Sequence, residues 1–176
     1  GITELVNQYF SKENIDFILS VGGGSVLDAA KFIAAACFYE GKDPWDILTG
    51  KGKIKKALPI GSILTLPATG SEMNSNSVIS HREIGEKKAF SSPYVYPQFS
   101  ILDPETTYSL SKKQVANGIV DSFIHVLEQY LTTNIGTPLQ DRQAEAVLLT
   151  LIEEGPKAIK DNEDYEGSTG TKSLLS

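Results

Sequence analysis

The sequence has few residues that form cross-links or bind transition metals: its 176 residues include one cysteine, one methionine and two histidines. A single cysteine, Cys37, excludes a disulfide within the chain and is typical of a reducing compartment. Cys37 lies in an alanine-rich stretch, where a small buried side chain is a simpler interpretation than a reactive thiol. Thiol chemistry is therefore not the expected function.

Long apolar runs and an excess of positive charge are also missing. The chain has no apolar run of about 18 residues and no signal-peptide pattern, so the sequence predicts a cytoplasmic protein without a membrane partner. Its formal net charge is −6, whereas nucleic acids and anionic membranes favour a basic surface. Nucleic acid is thus not an expected partner, and any anionic ligand must be held by local groups.

The most informative stretch is an apolar run, Phe17 to Val21, that ends in three glycines before a helical pattern begins at Ser25. This order predicts a buried strand, a tight turn and a helix start. The unpaired N–H groups of such a helix suit a phosphate or pyrophosphate. The match to the dinucleotide-binding glycine pattern is partial, because Leu27 stands where a third glycine is expected. A glycine-rich turn without a ligand remains an alternative.

Short strands and helices alternate through the first 108 residues. Helices are predicted at Glu4–Ser11, from Ser25 to about Tyr39, and at Trp45–Leu48, where Asp43 caps the helix and Pro44 takes its first position. Strands are predicted at Ala57–Pro67, Ser77–Ser80, Ala89–Ser92 and Phe99–Leu102. The turn between the two middle strands contains His81, which we predict to be a surface residue. This alternation indicates an α/β domain.

The pattern becomes entirely helical after residue 108. Ser111 followed by Gln114 is a capping-box signature, which opens a helix from Lys112 to about Thr132. Thr137, Pro138 and Gln140 repeat the start signal, with the proline at the first helical position. This second helix is predicted to continue from Asp141 to Glu154 and to end at Gly155-Pro156.

Two metal-binding side chains lie on the polar side of the first of these helices. Asp121 and His125 are four residues apart, so a carboxylate oxygen and an imidazole nitrogen project from one face and can share a divalent cation. A solvated polar stripe with an Asp and His pair is the alternative, because two residues are a weak motif.

Three stretches considered together are far more specific than any one of them: VGGGSVLDAAKF, LTLPATGSEMNSNSVIS and LDPETTYSLSKKQVANGIVDSFIHVLEQY. In this order and spacing they resemble the iron-containing (group III) alcohol dehydrogenase family, and in particular its NAD(P)H-dependent butanol dehydrogenase and aldehyde reductase branch. The resemblance covers Ile2 to about Tyr165. It implies an incomplete α/β, Rossmann-like dinucleotide-binding domain at residues 1–108 and the first helices of an all-α metal-binding domain at 109–165. Residues 166–176 depart from the family's helical pattern and are predicted to form an irregular tail.

The resemblance also implies a cofactor site and a metal site. The positions that match the family's pyrophosphate loop are Gly23, Gly24 and Ser25, with Asp28 completing the motif. Those that match the nicotinamide half of the cofactor are Thr65, Thr69 and Asn74, and Lys87 matches a lysine that reaches the ribose. Asp121 and His125 match the first two ligands of a divalent metal, iron or zinc, which in that family lies in the cleft between the two domains. The implied reaction is metal-dependent hydride transfer between NAD(P)H and a small aldehyde or primary alcohol, and the implied assembly is a homodimer.

The chain departs from the family pattern in its metal ligands. The family uses two further histidines from later helices, and this sequence has none after His125. The chain also begins at Gly1 rather than at a methionine, so we interpret it as an internal fragment that is expected to be inactive alone. A relative of glycerol dehydrogenase or dehydroquinate synthase is an alternative, although Thr65 to Glu72 and Asp43-Pro44-Trp45 argue against it. A nucleotide-binding fragment without catalysis is another alternative.

Overall fold

A computed structural model describes residues 14–132 and 136–160. The helix predicted at Glu4–Ser11 and the tail predicted at 166–176 lie outside these residues. The chain divides into two compact units. The first comprises Gly1–Thr65 and Thr69–Leu102, and the second comprises Leu66–Ala68 and Asp103–Ser176.

The first unit contains a three-stranded sheet. Its strands β1 (Ile18–Gly23), β2 (Ile60–Leu66) and β5 (Phe99–Leu102) lie in the order β1, β2, β5. β2 and β5 are parallel, with Gly61 opposite Phe99. β2 is shorter than the predicted Ala57–Pro67, because neither Pro59 nor Pro67 has an N–H group to donate to a ladder. The observed sheet confirms the α/β fold class.

Helix α1 (Gly24–Ala36) supplies much of the core of this unit. Its side chains in the core cluster are Leu27, Phe32, Ala34 and Ala35. α1 ends before the predicted Tyr39, because the N–H groups of Phe38 and Tyr39 bond to carbonyls three residues back and tighten the last turn. The short helix α2 (Trp45–Leu48) follows. Its predicted cap is confirmed, since the Trp45 N–H donates to Asp43 Oδ1 over 2.9 Å.

A separate two-stranded hairpin completes the first unit. β3 (Asn76–His81) and β4 (Glu86–Ser91) correspond to the strands predicted at Ser77–Ser80 and Ala89–Ser92, and they pair antiparallel. Gly85 supplies the left-handed residue in the turn, at φ +65°. His81 is half-buried rather than a surface residue, because its ring packs edge-on against Trp45 with centroids 5.0 Å apart.

The second unit contains helices α3 (Lys112–Tyr130) and α4 (Pro138–Lys160). The predicted capping box is confirmed: the Gln114 N–H donates to Ser111 Oγ, and the Ser111 N–H donates to Gln114 Oε1. The predicted end of the second helix at Gly155-Pro156 is wrong, because α4 continues to Lys160. Leu151 and Ala158 are buried with Ile119 of α3, so packing on both sides of the proline sustains the helix. No helix in the described part of the chain has the length and apolar character required to cross a bilayer.

Candidate functional site

The glycine turn after β1 forms an open helix N-terminus. Gly23 precedes the first turn of α1 and provides no side-chain cap, so the first N–H groups of the helix remain available to a ligand. Gly24 is buried, whereas Ser25 is exposed. A Cβ atom at Gly24 would collide with Thr69 Oγ1, so only glycine permits this close approach between the turn and Thr69.

The segment after β2 packs against the same turn. It reverses direction at Gly70, which has φ +63°, and continues as a short 3-10 helix at Ser71–Met73. The Ser71 N–H donates to Thr69 Oγ1 over 3.3 Å, which orients the threonine side chain. The structure therefore brings two predicted cofactor positions, Gly24 and Thr69, into contact. Thr65 lies near the carboxyl end of β2 and is half-buried.

The carboxylate of Asp28 and the side-chain oxygen of Asn74 bond to other groups of the protein. Asp28 is buried, and its Oδ1 accepts from Ser71 Oγ over 2.6 Å while its Oδ2 accepts from the Val78 N–H over 3.1 Å. Asn74 Oδ1 accepts from the Asn76 N–H over 2.8 Å. Asp28 thus holds the segment that follows Thr69, and its direct contact with a cofactor remains a prediction.

Two further ionisable residues of this region were missed by the sequence reasoning. Lys31 is fully buried, and burial lowers the pKa of its ammonium group to about 8, although nearby Asp28 and Glu72 oppose the shift. Glu72 is only 2% exposed, and neither carboxylate oxygen has a hydrogen-bond partner among the described residues. The available signal was the position of Lys31, one helical turn after Asp28 in an alanine-rich helix.

The predicted ribose-contacting residue lies on the hairpin. Lys87 is on β4 opposite Ser80, and its side chain is exposed. Its contact with a cofactor remains a prediction.

Asp121 and His125 lie one turn apart on α3 in the second unit. His125 Nε2 is 3.7 Å from Asp121 Oδ2, and the side chains are 70% and 61% exposed. Two donors on a tetrahedral zinc ion are about 3.4 Å apart, so a small side-chain adjustment fits this pair to two ligand positions. Residues 14–132 and 136–160 contain no group of three or more histidine, cysteine or acidic residues that could hold a metal. A catalytic site needs at least one more protein ligand than this pair provides.

Comparison with known proteins identifies one family. The sequence model of iron-containing alcohol dehydrogenase matches residues 2–104. The chain is 56% identical over 157 residues to the NADPH-dependent aldehyde reductase YqhD of Escherichia coli, covering 88% of this chain and 41% of that protein. It is 54% identical over 155 residues to the probable NADH-dependent butanol dehydrogenase 1 of Bacillus subtilis, covering 88% of this chain and 40% of that protein.

Solved structures give the same result. The crystal structure of YqhD from E. coli superposes with a TM-score of 0.89 at 50% identity, covering 99% of this chain and 45% of that chain. The NADH-dependent butanol dehydrogenase A of Thermotoga maritima superposes with a TM-score of 0.87 at 39% identity, covering 99% of this chain and 43% of that chain. The chain thus spans less than half the length of these relatives.

Proposed function

Because the chain belongs to the iron-containing alcohol dehydrogenase family, we propose that the protein transfers hydride between NAD(P)H and a small aldehyde or primary alcohol. Its similarity to an aldehyde reductase and to butanol dehydrogenases supports this substrate class. The observation that carries the proposal is the contact between the glycine turn and Thr69, because it places an open helix N-terminus beside a hydroxyl-bearing loop. Such an arrangement suits a dinucleotide.

On the cofactor side, the proposed roles follow from the donors that each residue offers. The N–H groups of Gly24 and Ser25 at the start of α1 would bind the pyrophosphate. Thr65, Thr69 and Asn74 would orient the nicotinamide half through hydroxyl and amide groups, and the exposed ammonium group of Lys87 would reach the ribose. Hydride chemistry belongs to the nicotinamide, so these residues bind and orient the cofactor.

On the substrate side, Asp121 and His125 would hold a divalent iron or zinc ion through one carboxylate oxygen and one imidazole nitrogen. When bound, such an ion polarises the substrate oxygen as a Lewis acid. The spacing of the two side chains fits two of the required ligands, and the rest must come from outside the described residues.

A second candidate, cofactor binding without turnover, is favoured for the 176-residue chain alone. The specific observation is that the described residues supply only two metal ligands. A carboxylate and an imidazole on an exposed helix face bind a metal less tightly than a site of three or more ligands. We therefore expect this chain to bind NAD(P)H while showing little metal-dependent activity.

The test uses an extended chain, defined as this chain together with the residues that the native gene encodes on either side of it. Oxidation of NADPH or NADH with butyraldehyde should depend on added metal, and a chelator should abolish it. His125→Ala should lower kcat by about a hundredfold or more, because it removes a metal ligand. His81→Ala is the matched control, since it removes the chain's other histidine, which packs against Trp45, and should retain activity. Turnover that is indifferent to both the chelator and His125→Ala would overturn the proposal.

Assembly and location form a further part of the proposal. We expect a homodimer by family analogy. A reducing cytoplasmic location is consistent with the single cysteine and with the partly buried, unpaired Cys37 thiol. The acidic net charge also supports small molecules, rather than nucleic acid or membrane, as partners.

A further inference from the structure

The ammonium group of Lys31 is surrounded by acceptors from a single segment. Lys31 Nζ donates to the carbonyl oxygens of Ser71 over 2.6 Å, Asn74 over 2.7 Å and Asn76 over 2.9 Å. The Asn74 side-chain oxygen lies 3.2 Å away as a fourth acceptor. An ammonium group has three N–H donors, so all of them are used by backbone carbonyls. One side chain of α1 therefore holds both ends of the segment from Ser71 to Asn76.

Asp28 provides a second attachment to the same segment from the preceding turn of α1. Besides the contacts of its carboxylate, its backbone oxygen accepts from Ser77 Oγ over 2.8 Å. The two attachments differ in chemistry, because Asp28 accepts from hydroxyl and amide groups whereas Lys31 donates to carbonyls. The carbonyl oxygens around Lys31, one buried and two partly buried, would lose a hydrogen-bond partner if Lys31 were replaced by an apolar residue. The structure thus depends on Lys31 for the conformation between Ser71 and Asn76.

This segment connects directly to the proposed nicotinamide contacts. Thr69 precedes it and packs against Gly24, while Asn74 lies inside it. We propose that Lys31 is a positioning residue for the cofactor, which fixes Thr69 and Asn74 relative to the N-terminus of α1. This inference rests on the proposed function, since it assumes that the two residues contact the nicotinamide half. Lys31 itself is fully buried and is not expected to touch the cofactor.

The primary test compares NADPH binding by the 176-residue chain and by two lysine variants, followed through NADPH fluorescence. Lys31→Met keeps a long apolar side chain but removes all donors, and it should weaken NADPH binding by about tenfold or more. Lys55→Met makes the same change at an exposed lysine of the same unit, which pairs with Glu40, and should alter binding by less than about twofold. If Lys31→Met folds and its affinity for NADPH equals that of the parent chain, the proposal is wrong.

Steady-state kinetics of the extended chain separate positioning from general destabilisation. Loss of folded protein lowers the apparent kcat without changing KM, whereas a displaced cofactor loop raises the KM for NADPH. We expect Lys31→Met to raise the KM for NADPH by about tenfold while the KM for butyraldehyde stays within about twofold. An unchanged KM for NADPH with reduced kcat would contradict a positioning role.

A conservative variant keeps the test decisive if Lys31→Met does not fold. Lys31→Arg retains the charge, but a planar guanidinium cannot direct its donors to three carbonyls around one point. It should fold and still bind NADPH more weakly than the parent, and parent-like affinity would overturn the proposal. If the 176-residue parent binds neither NADPH nor NADH, the expectation that this chain binds the cofactor alone is wrong, and turnover of the extended chain still tests the proposed reaction. In that case, amide hydrogen exchange at residues 71–76 tests the role of Lys31. A positioning role requires faster exchange in Lys31→Arg than in Lys55→Met.

Discussion

At the scale of single residues, burial changes the pKa of the Cys37 thiol and therefore its reactivity. Partial burial against the core of the first unit raises its pKa to about 11, from 9.0 for an unperturbed thiol. The thiolate is the reactive form, so the folded chain should be alkylated slowly near pH 9.0 and its rate should keep rising towards pH 11. In the unfolded chain, where the group is solvated, the rate should level off near its ordinary pKa.

Alkylation with iodoacetamide at a series of pH values checks this directly, because Cys37 is the only cysteine. The same series in urea provides the unfolded control. Equal pH profiles in the folded and unfolded chains would show that the thiol is not desolvated.

At the scale of elements, the N-terminus of α3 depends on its capping box. Ser111→Ala removes the side-chain oxygen that accepts from the Gln114 N–H, leaving a helix donor without its partner. We expect the free energy of unfolding to fall by about 1 kcal/mol, the usual cost of losing such a cap. Urea denaturation followed by circular dichroism measures the change.

Ser109→Ala is the matched control for this cap. Ser109 is exposed in the turn before the helix and should tolerate the substitution within about 0.5 kcal/mol. Equal stabilities of the two variants would contradict a role for the cap.

The same helices show which elements the sequence could predict. The capping box of α3 was predictable because its two hydrogen bonds join residues three apart. The end of α4 was not, because Gly155-Pro156 is locally a stop signal. A Cβ atom at Gly155 would lie 3.0 Å from Ile119 of α3, so the helix continues through packing with a residue distant in sequence. Such tertiary contacts override local propensity.

In the candidate site, too, local features were predictable from the sequence and tertiary contacts were not. The glycine turn was predictable from its composition, and the resemblance identified Asp28 as part of it. Neither indicated that the Asp28 carboxylate faces Ser71 and Val78. The role of Lys31 was also hidden, because its acceptors are backbone carbonyls some forty residues later, and any residue has a backbone carbonyl. Burial, rather than residue type, distinguishes this lysine from exposed ones.

At the scale of the whole molecule, several large apolar side chains are exposed in the described part of each unit. On the sheet of the first unit, Leu19, Val21, Phe99 and Ile101 are each about half exposed. On α4 of the second unit, Leu149 and Ile152 are both 57% exposed and lie on neighbouring turns. Contiguous apolar surface of this kind favours association in water.

We therefore expect the 176-residue chain to self-associate through apolar surface. Full burial of a leucine or isoleucine side chain gains about 1.5–3 kcal/mol, so covering half of each of the two side chains on α4 gains about 2 kcal/mol. The double variant Leu149→Lys/Ile152→Lys should shift sedimentation velocity profiles towards the monomer at equal protein concentration. Ala146→Lys with Glu153→Gln is the matched control, because it adds the same charge to α4 at exposed positions without removing large apolar side chains. If the two variants associate equally, charge rather than apolar contact governs the assembly, and the expectation for α4 is wrong.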